Sequence, residues 1–84
     1  MANATLGPTG RILTLADLPD PSTRRWVSRR KAEVVHAVRG GLLTKGDAMN
    51  KYNITNAEYT EWESHYDGHG LAGLRVTRVQ DYRA

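Results

Sequence analysis

The segment Thr44-Lys-Gly-Asp-Ala-Met-Asn-Lys-Tyr-Asn-Ile-Thr-Asn-Ala-Glu-Tyr-Thr-Glu-Trp62 predicts two short helices joined by a tight turn. Each helix begins with a threonine cap followed three residues later by an acidic partner, Thr44 with Asp47 and Thr55 with Glu58. Asn53 stands between the helices, and asparagine tolerates the left-handed backbone that such a turn requires. The segment therefore has the outline of a helix-turn-helix.

Composition favours one small cytoplasmic domain. The chain has 84 residues and no cysteine, which excludes disulfides and thiolate chemistry and fits a reducing compartment. No apolar run approaches the roughly 18 residues of a membrane span, and the N-terminus lacks the layout of a signal peptide. Residues 1–10 are small, polar and without periodicity, so we expect a disordered lead-in before a single domain over 11–84.

The predicted fold is mainly α-helical, with helices over about residues 28–39, 45–52 and 56–67. Valines at helical spacing indicate the first helix, and Gly40 supplies its stop. Two terminal segments could add a short two-stranded β-ribbon. These are residues 11–15 and the alternating run Leu74–Gln80.

Charge is unevenly distributed over the predicted helices. The net charge is +5 over residues 24–39 and −3 over residues 44–67. The basic cluster comprises Arg24, Arg25, Arg29, Arg30 and Lys31. Cations at a helix start oppose the helix dipole, which favours a role in facing phosphate or an acidic partner over surface solubility alone. Whether Trp26 within the cluster is a core anchor or an exposed contact stays open, and His36 is expected on the same outward ridge as Arg29.

The last helix has an aromatic stripe and a small polar face. Tyr59, Trp62 and Tyr66 recur at helical spacing, and in a chain without phenylalanine they are expected in the core rather than as a base-stacking platform. The opposite face would expose Asn56, Ala57, Thr60, Glu61 and Ser64. Small side chains allow close approach to a groove, and the amide, hydroxyl and carboxylate groups could bond base edges. Arg75 and Arg78 add basic charge in the tail, so the candidate DNA-binding set comprises these two arginines, the basic cluster and this polar face.

Catalysis and metal binding have little support in the sequence. No nucleophile motif or phosphate loop is present, and Glu58, Glu61 and Glu63 are expected on a solvated helix face. His65 and His69 are four residues apart, but Gly68 and Gly70 interrupt the face they would share. We expect a protein that is not an enzyme, with no metal and no cofactor.

The chain resembles the alphaproteobacterial SciP-like family, small inhibitors of the cell-cycle response regulator CtrA. The resemblance is carried by Arg25-Trp-Val-x-Arg-Arg-Lys-Ala-Glu-Val-Val35, Ala37-Val-Arg-Gly-Gly-Leu-Leu43 and Gly73-Leu-Arg-x-Thr-Arg78. The central segment is similar to the helix-turn-helix of Trp-repressor-like and transposase proteins through Ala48, Tyr52, Ile54, Thr55, Tyr59 and Trp62. Asn53 replaces the glycine of that pattern.

The resemblance implies a transcriptional repressor. Its partners would be double-stranded DNA, a CtrA-like response regulator, or both. The alternative is a protein-interaction module that binds an activator and blocks polymerase recruitment without reading DNA.

Overall fold

The computed structural model of the chain describes residues 3–76. Its helices are α1, Ser28–Arg39; α2, Lys45–Tyr52; and α3, Asn56–His69. An N-terminal hairpin of strands β1, Thr5–Leu6, and β2, Ile12–Leu13, precedes them, with a 3-10 turn at Leu15–Asp17. A 3-10 segment, Gly70–Val76, follows α3. The prediction of a mainly α-helical fold is confirmed. Helix α3 extends two residues beyond its predicted end at residue 67, because Gly68 remains helical and Gly70 is the C-cap.

The turn between α2 and α3 has the predicted geometry. Asn53 adopts the left-handed conformation, with φ 53° and ψ 49°. The Thr44 hydroxyl accepts from Asp47 N at 3.0 Å, and the Thr55 hydroxyl accepts from Glu58 N at 3.1 Å. In return, a Glu58 carboxylate oxygen accepts from Thr55 N at 2.8 Å. Each cap is worth about 1 kcal/mol and satisfies N–H groups that have no partner within the helix.

Trp26 is buried and joins α1 to both helices of the helix-turn-helix. Its side chain is 2% exposed. Its ring centroid lies 5.1 Å from that of Tyr52, edge to face, and 5.2 Å from that of Trp62. The Tyr52 hydroxyl donates to the Pro19 carbonyl at 2.8 Å, and burial raises the pKa of Tyr52 to about 12. The question that the sequence leaves open is thus answered in favour of a core anchor.

The β-hairpin contains one of the two predicted segments, because β2 lies within residues 11–15, but its partner strand is a different one. β1 pairs antiparallel with β2, Leu6 opposite Ile12, so the predicted disordered lead-in contains a strand. The prediction of a partner strand over Leu74–Gln80 is wrong for residues 74–76, which form part of the 3-10 segment with Leu74 fully buried. Residues 77–80 lie outside the described residues. The 3-10 segment packs tightly on α3, where Gly73 lies against the His65 carbonyl, and this packing competes with an extended strand.

Polar side chains join the C-terminal end of α1 to α3. Arg39 donates to both carboxylate oxygens of Asp67 at 2.8 Å and to Glu63 at 3.3 Å. His36 lies between the Leu6 carbonyl, at 2.9 Å from Nδ1, and the Tyr66 hydroxyl, at 2.7 Å from Nε2. Because a carbonyl only accepts, Nδ1 carries a proton. His36 therefore joins three elements and does not lie on the outward basic ridge where the sequence places it.

Replacing Gly73 by alanine is expected to destabilise the domain by about 1–3 kcal/mol, the usual cost of overpacking. The added Cβ would meet the His65 carbonyl oxygen and a Cβ of His69, so backbone must move. Gly68→Ala is the matched control, because a Cβ there meets nothing within 4 Å. It should stabilise α3 by about 0.5–1 kcal/mol. Urea unfolding of both variants tests this, and equal stabilities would contradict the close approach.

Asp67→Asn is expected to lower the melting temperature at pH 7, with a difference from wild type that disappears in acid. Hydrogen bonds from Arg39 hold the pKa of Asp67 below its usual value of 3.8. A carboxyl with a lowered folded pKa stabilises the fold above its unfolded pKa and loses this effect as pH falls through the folded value. In thermal unfolding from pH 7 down to below pH 3, the melting temperatures of the two proteins should converge. Glu61→Gln, at an exposed position, is the control and should show no such pH-dependent difference.

Candidate nucleic-acid interface

The outward face of α3 carries all five residues that the sequence assigns to it. Asn56, Ala57, Thr60, Glu61 and Ser64 are all exposed. The opposite face is fixed by Tyr59 and Trp62, each 1% exposed, while Tyr66 is half-buried against His36. The buried rings set the rotation of the helix about its axis, so the positions on the opposite side face solvent. We call these five residues the α3 face. Glu58 is buried, contrary to the expected solvated position, because its carboxylate completes the Thr55 cap.

The α3 face offers hydrogen-bonding groups but no cation. Asn56 supplies an amide that both donates and accepts, Thr60 and Ser64 supply hydroxyls, and Glu61 supplies a carboxylate. Ala57 leaves space for close approach. Such a surface can read base edges, but its only charged group would be repelled by phosphate. Any strong attraction to a nucleic acid backbone must therefore come from other elements.

Four exposed arginines surround the start of α1: Arg24, Arg25, Arg29 and Arg30. Val27 at the N-cap supplies no side-chain cap, and the first turn holds no acidic residue. Arg30 donates to the Arg25 carbonyl at 3.0 Å, which keeps the two residues close. Arg29 approaches Glu33 only to 4.0 Å, and burial raises the pKa of Glu33 while Arg29 opposes that shift. The N-terminal end of α1 is thus strongly positive.

Lys31 does not belong to this exposed set, contrary to the sequence-based assignment. Its side chain is 1% exposed, and Nζ donates to the Leu74 carbonyl at 3.3 Å. Lys31 flanks the apolar side of α1, so the 3-10 segment covers it, and hydrogen bonding reduces the cost of burying the ammonium. It is therefore a structural contact between α1 and the 3-10 segment.

Arg75 lies near the start of α1, although it is distant from that helix in the sequence. A cleft of about 510 Å³ lies between the two elements and is lined by Arg25 and Arg75, with Trp26, Val27, Ser28, Lys31 and Leu74. Arg78, the last member of the predicted set, lies outside the described residues. The structure thus groups one tail arginine with the basic cluster. We call this the Arg25–Arg75 cleft.

Two further cations flank the helix-turn-helix and are absent from the sequence-based set. Lys45 Nζ lies 5.5 Å from the centroid of the Tyr59 ring, and Lys51 Nζ lies 5.5 Å from that of Tyr52. They stand at the two ends of α2. In helix-turn-helix proteins the first helix crosses the DNA backbone, so position within the motif could have pointed to both lysines.

Within residues 3–76, no hydrogen bond or ion pair joins the α3 face to the exposed arginines. The same part of the chain holds no group of three histidine, cysteine or acidic side chains placed to bind a metal ion. None of its helices has the length and apolar character needed to cross a membrane. The described residues thus present a polar α3 face and a separate group of exposed arginines.

Comparison with known proteins identifies relatives without a described activity. A family model described as protein of unknown function, DUF1153, matches residues 1–83. The solution NMR structure of a Rhodobacter sphaeroides protein is similar, with 41% identity over 98% of this chain and 86% of that chain and a TM-score of 0.76. A second solution NMR structure, a structural genomics target, shares 37% identity over 90% of this chain and 80% of that chain, with a TM-score of 0.63. No curated protein gives a significant match.

Proposed function

We propose that this chain, which belongs to the DUF1153 family, is a transcriptional regulator that binds double-stranded DNA. The observation that carries the proposal is the exposed α3 face on a helix whose start is fixed by a capping box and a left-handed turn. A rigid helix with a small polar outer face fits the major groove, and base edges there differ for every base pair.

In the proposed complex, the two surfaces have different tasks. Asn56, Thr60 and Ser64 bond base edges, and the carboxylate of Glu61 accepts from a cytosine amino group. Cations at the start of α1 and on α2 hold backbone phosphates and set the register of the protein on the duplex. These are Arg24, Arg25, Arg29, Arg30, Lys45 and Lys51.

The direction of regulation follows from the resemblance to SciP-like proteins. By that likeness, we propose that the domain represses genes that a CtrA-like response regulator activates. The basic cluster and Gly73-Leu-Arg75 are among the residues that carry the likeness. The α3 face or the exposed arginines would then compete for promoter DNA, or contact the DNA-bound regulator.

A protein-interaction module is the second candidate. It is favoured by one observation, the lack of any cation on the α3 face. In that case the α3 face would bind the response regulator, and the arginines would only hold the complex near DNA.

The two functions are separated by selecting duplexes from a randomised pool with the full chain, alone and with the response regulator. Enrichment of one motif by the chain alone, followed by fluorescence anisotropy that survives competitor DNA, would support a DNA-reading repressor. Enrichment only in the presence of the regulator would support the interaction module. A lack of any enrichment with or without the regulator would contradict both.

Replacing Arg29 and Arg30 by alanine is expected to weaken binding to every duplex alike. Each lost phosphate contact should reduce the steepness of log K against log salt by about 0.9. Thr60→Ala should keep that slope and relax the preference at one or two base pairs by up to about tenfold. Anisotropy titrations against a selected and a scrambled duplex at several salt concentrations measure both effects. The assignment of roles fails if the two variants behave alike.

A further inference from the structure

The Arg25–Arg75 cleft brings together positive charge from two parts of the chain, the segment around the start of α1 and the 3-10 segment. Arg25 comes from the segment entering α1, Lys31 from the first turns of α1, and Arg75 from the 3-10 segment. Among residues 3–76, no carboxylate lines the cleft, and no ion pair involves either arginine. By contrast, Arg39 is held by Asp67 and Glu63. Like charges repel, so gathering them in one concave site is favoured when an anion is to be bound there.

Size and polarity indicate what the anion can be. At about 510 Å³, the cleft falls within the usual range of small-molecule sites, so it admits a phosphate group together with the sugar that carries it. Guanidinium groups match phosphate oxygens with paired donors, and the Ser28 hydroxyl lies in the same lining. Lys31 also lines the cleft, where its Nζ donates to the Leu74 carbonyl at 3.3 Å.

We infer that the Arg25–Arg75 cleft seats one phosphate oxyanion, shared between the two arginines. The phosphate can come from the DNA backbone, in which case the inference rests on the proposed function and adds Arg75 to the DNA-binding surface. It can equally come from a free phosphate compound. Because one anion is shared, the two arginines act as a unit in either case.

The DNA source is tested by the salt dependence of binding to a labelled duplex from the selection experiment. Arg25→Gln and Arg75→Gln should each reduce the steepness of log K against log salt by about 0.9, and the double variant should also lose about 0.9 rather than 1.8. Arg11→Gln removes one exposed charge outside the cleft and is the matched control, expected to leave the slope nearly unchanged. All substituted arginines are exposed, and melting curves verify that each variant folds.

The free source is tested with inorganic phosphate against chloride at matched ionic strength, followed by amide NMR of the full chain. Saturable shifts at Ser28 and Arg75 that Arg25→Gln abolishes and Arg11→Gln keeps would support the cleft with a free ligand. This result could hold even if the chain bound no DNA, and only the proposed function would then fall.

Two results would overturn the inference. One is a double variant whose slope change is the sum of two independent contacts. The other is that the cleft variants show the same salt dependence of DNA binding as Arg11→Gln and that inorganic phosphate shifts no amide signal at the cleft. In both cases DNA binding by the chain would still stand, so the proposed function would survive.

Discussion

The packing of Trp26 against Tyr52 and Trp62 is the contact on which the rest of the domain depends. It attaches the start of α1 to the end of α2 and the middle of α3, so one side chain fixes the basic cluster relative to the helix-turn-helix. Losing a buried tryptophan typically costs about 3–5 kcal/mol. That is a large share of the roughly 5–15 kcal/mol that holds a small domain together. Trp26 thus couples stability to the placement of the cations that we propose contact phosphate.

The fold buries or pairs some of its cations and leaves others exposed. Arg39 is held by Asp67 and Glu63 and joins α1 to α3, and Lys31 is covered by the 3-10 segment. The arginines at the start of α1, with Arg75, stay exposed. The exposed arginines thus lie at the start of α1 and on the 3-10 segment, while the α3 face offers hydrogen-bonding groups without cations. This division separates the exposed arginines from residues 44–67, whose net charge is −3.

Signals from neighbouring residues made the helices and the turn predictable from the sequence. Contacts between residues distant in the sequence could not be predicted in this way. Capping pairs and Asn53 act within a few residues, so their pattern fixed the bounds of α2 and the start of α3. The alternation after Gly73 resembles a strand, but the close approach to His65 comes from tertiary packing. The α3 face followed from helical periodicity. The burial of Lys31, and the meeting of Arg75 with Arg25, depend on where the 3-10 segment lies and have no local signature.

The central claim is that the α3 face and the arginines at the start of α1 contact DNA together. The most direct measurement is an NMR titration of the isotope-labelled chain with a selected duplex, following every backbone amide and arginine side chain. We expect the largest chemical-shift changes at Asn56, Thr60 and Ser64 and at the arginines from Arg24 to Arg30, with the exposed hairpin residues Leu6 and Ile12 unaffected. Changes confined to the hairpin, or restricted to the arginines with an unperturbed α3 face, would contradict the central claim.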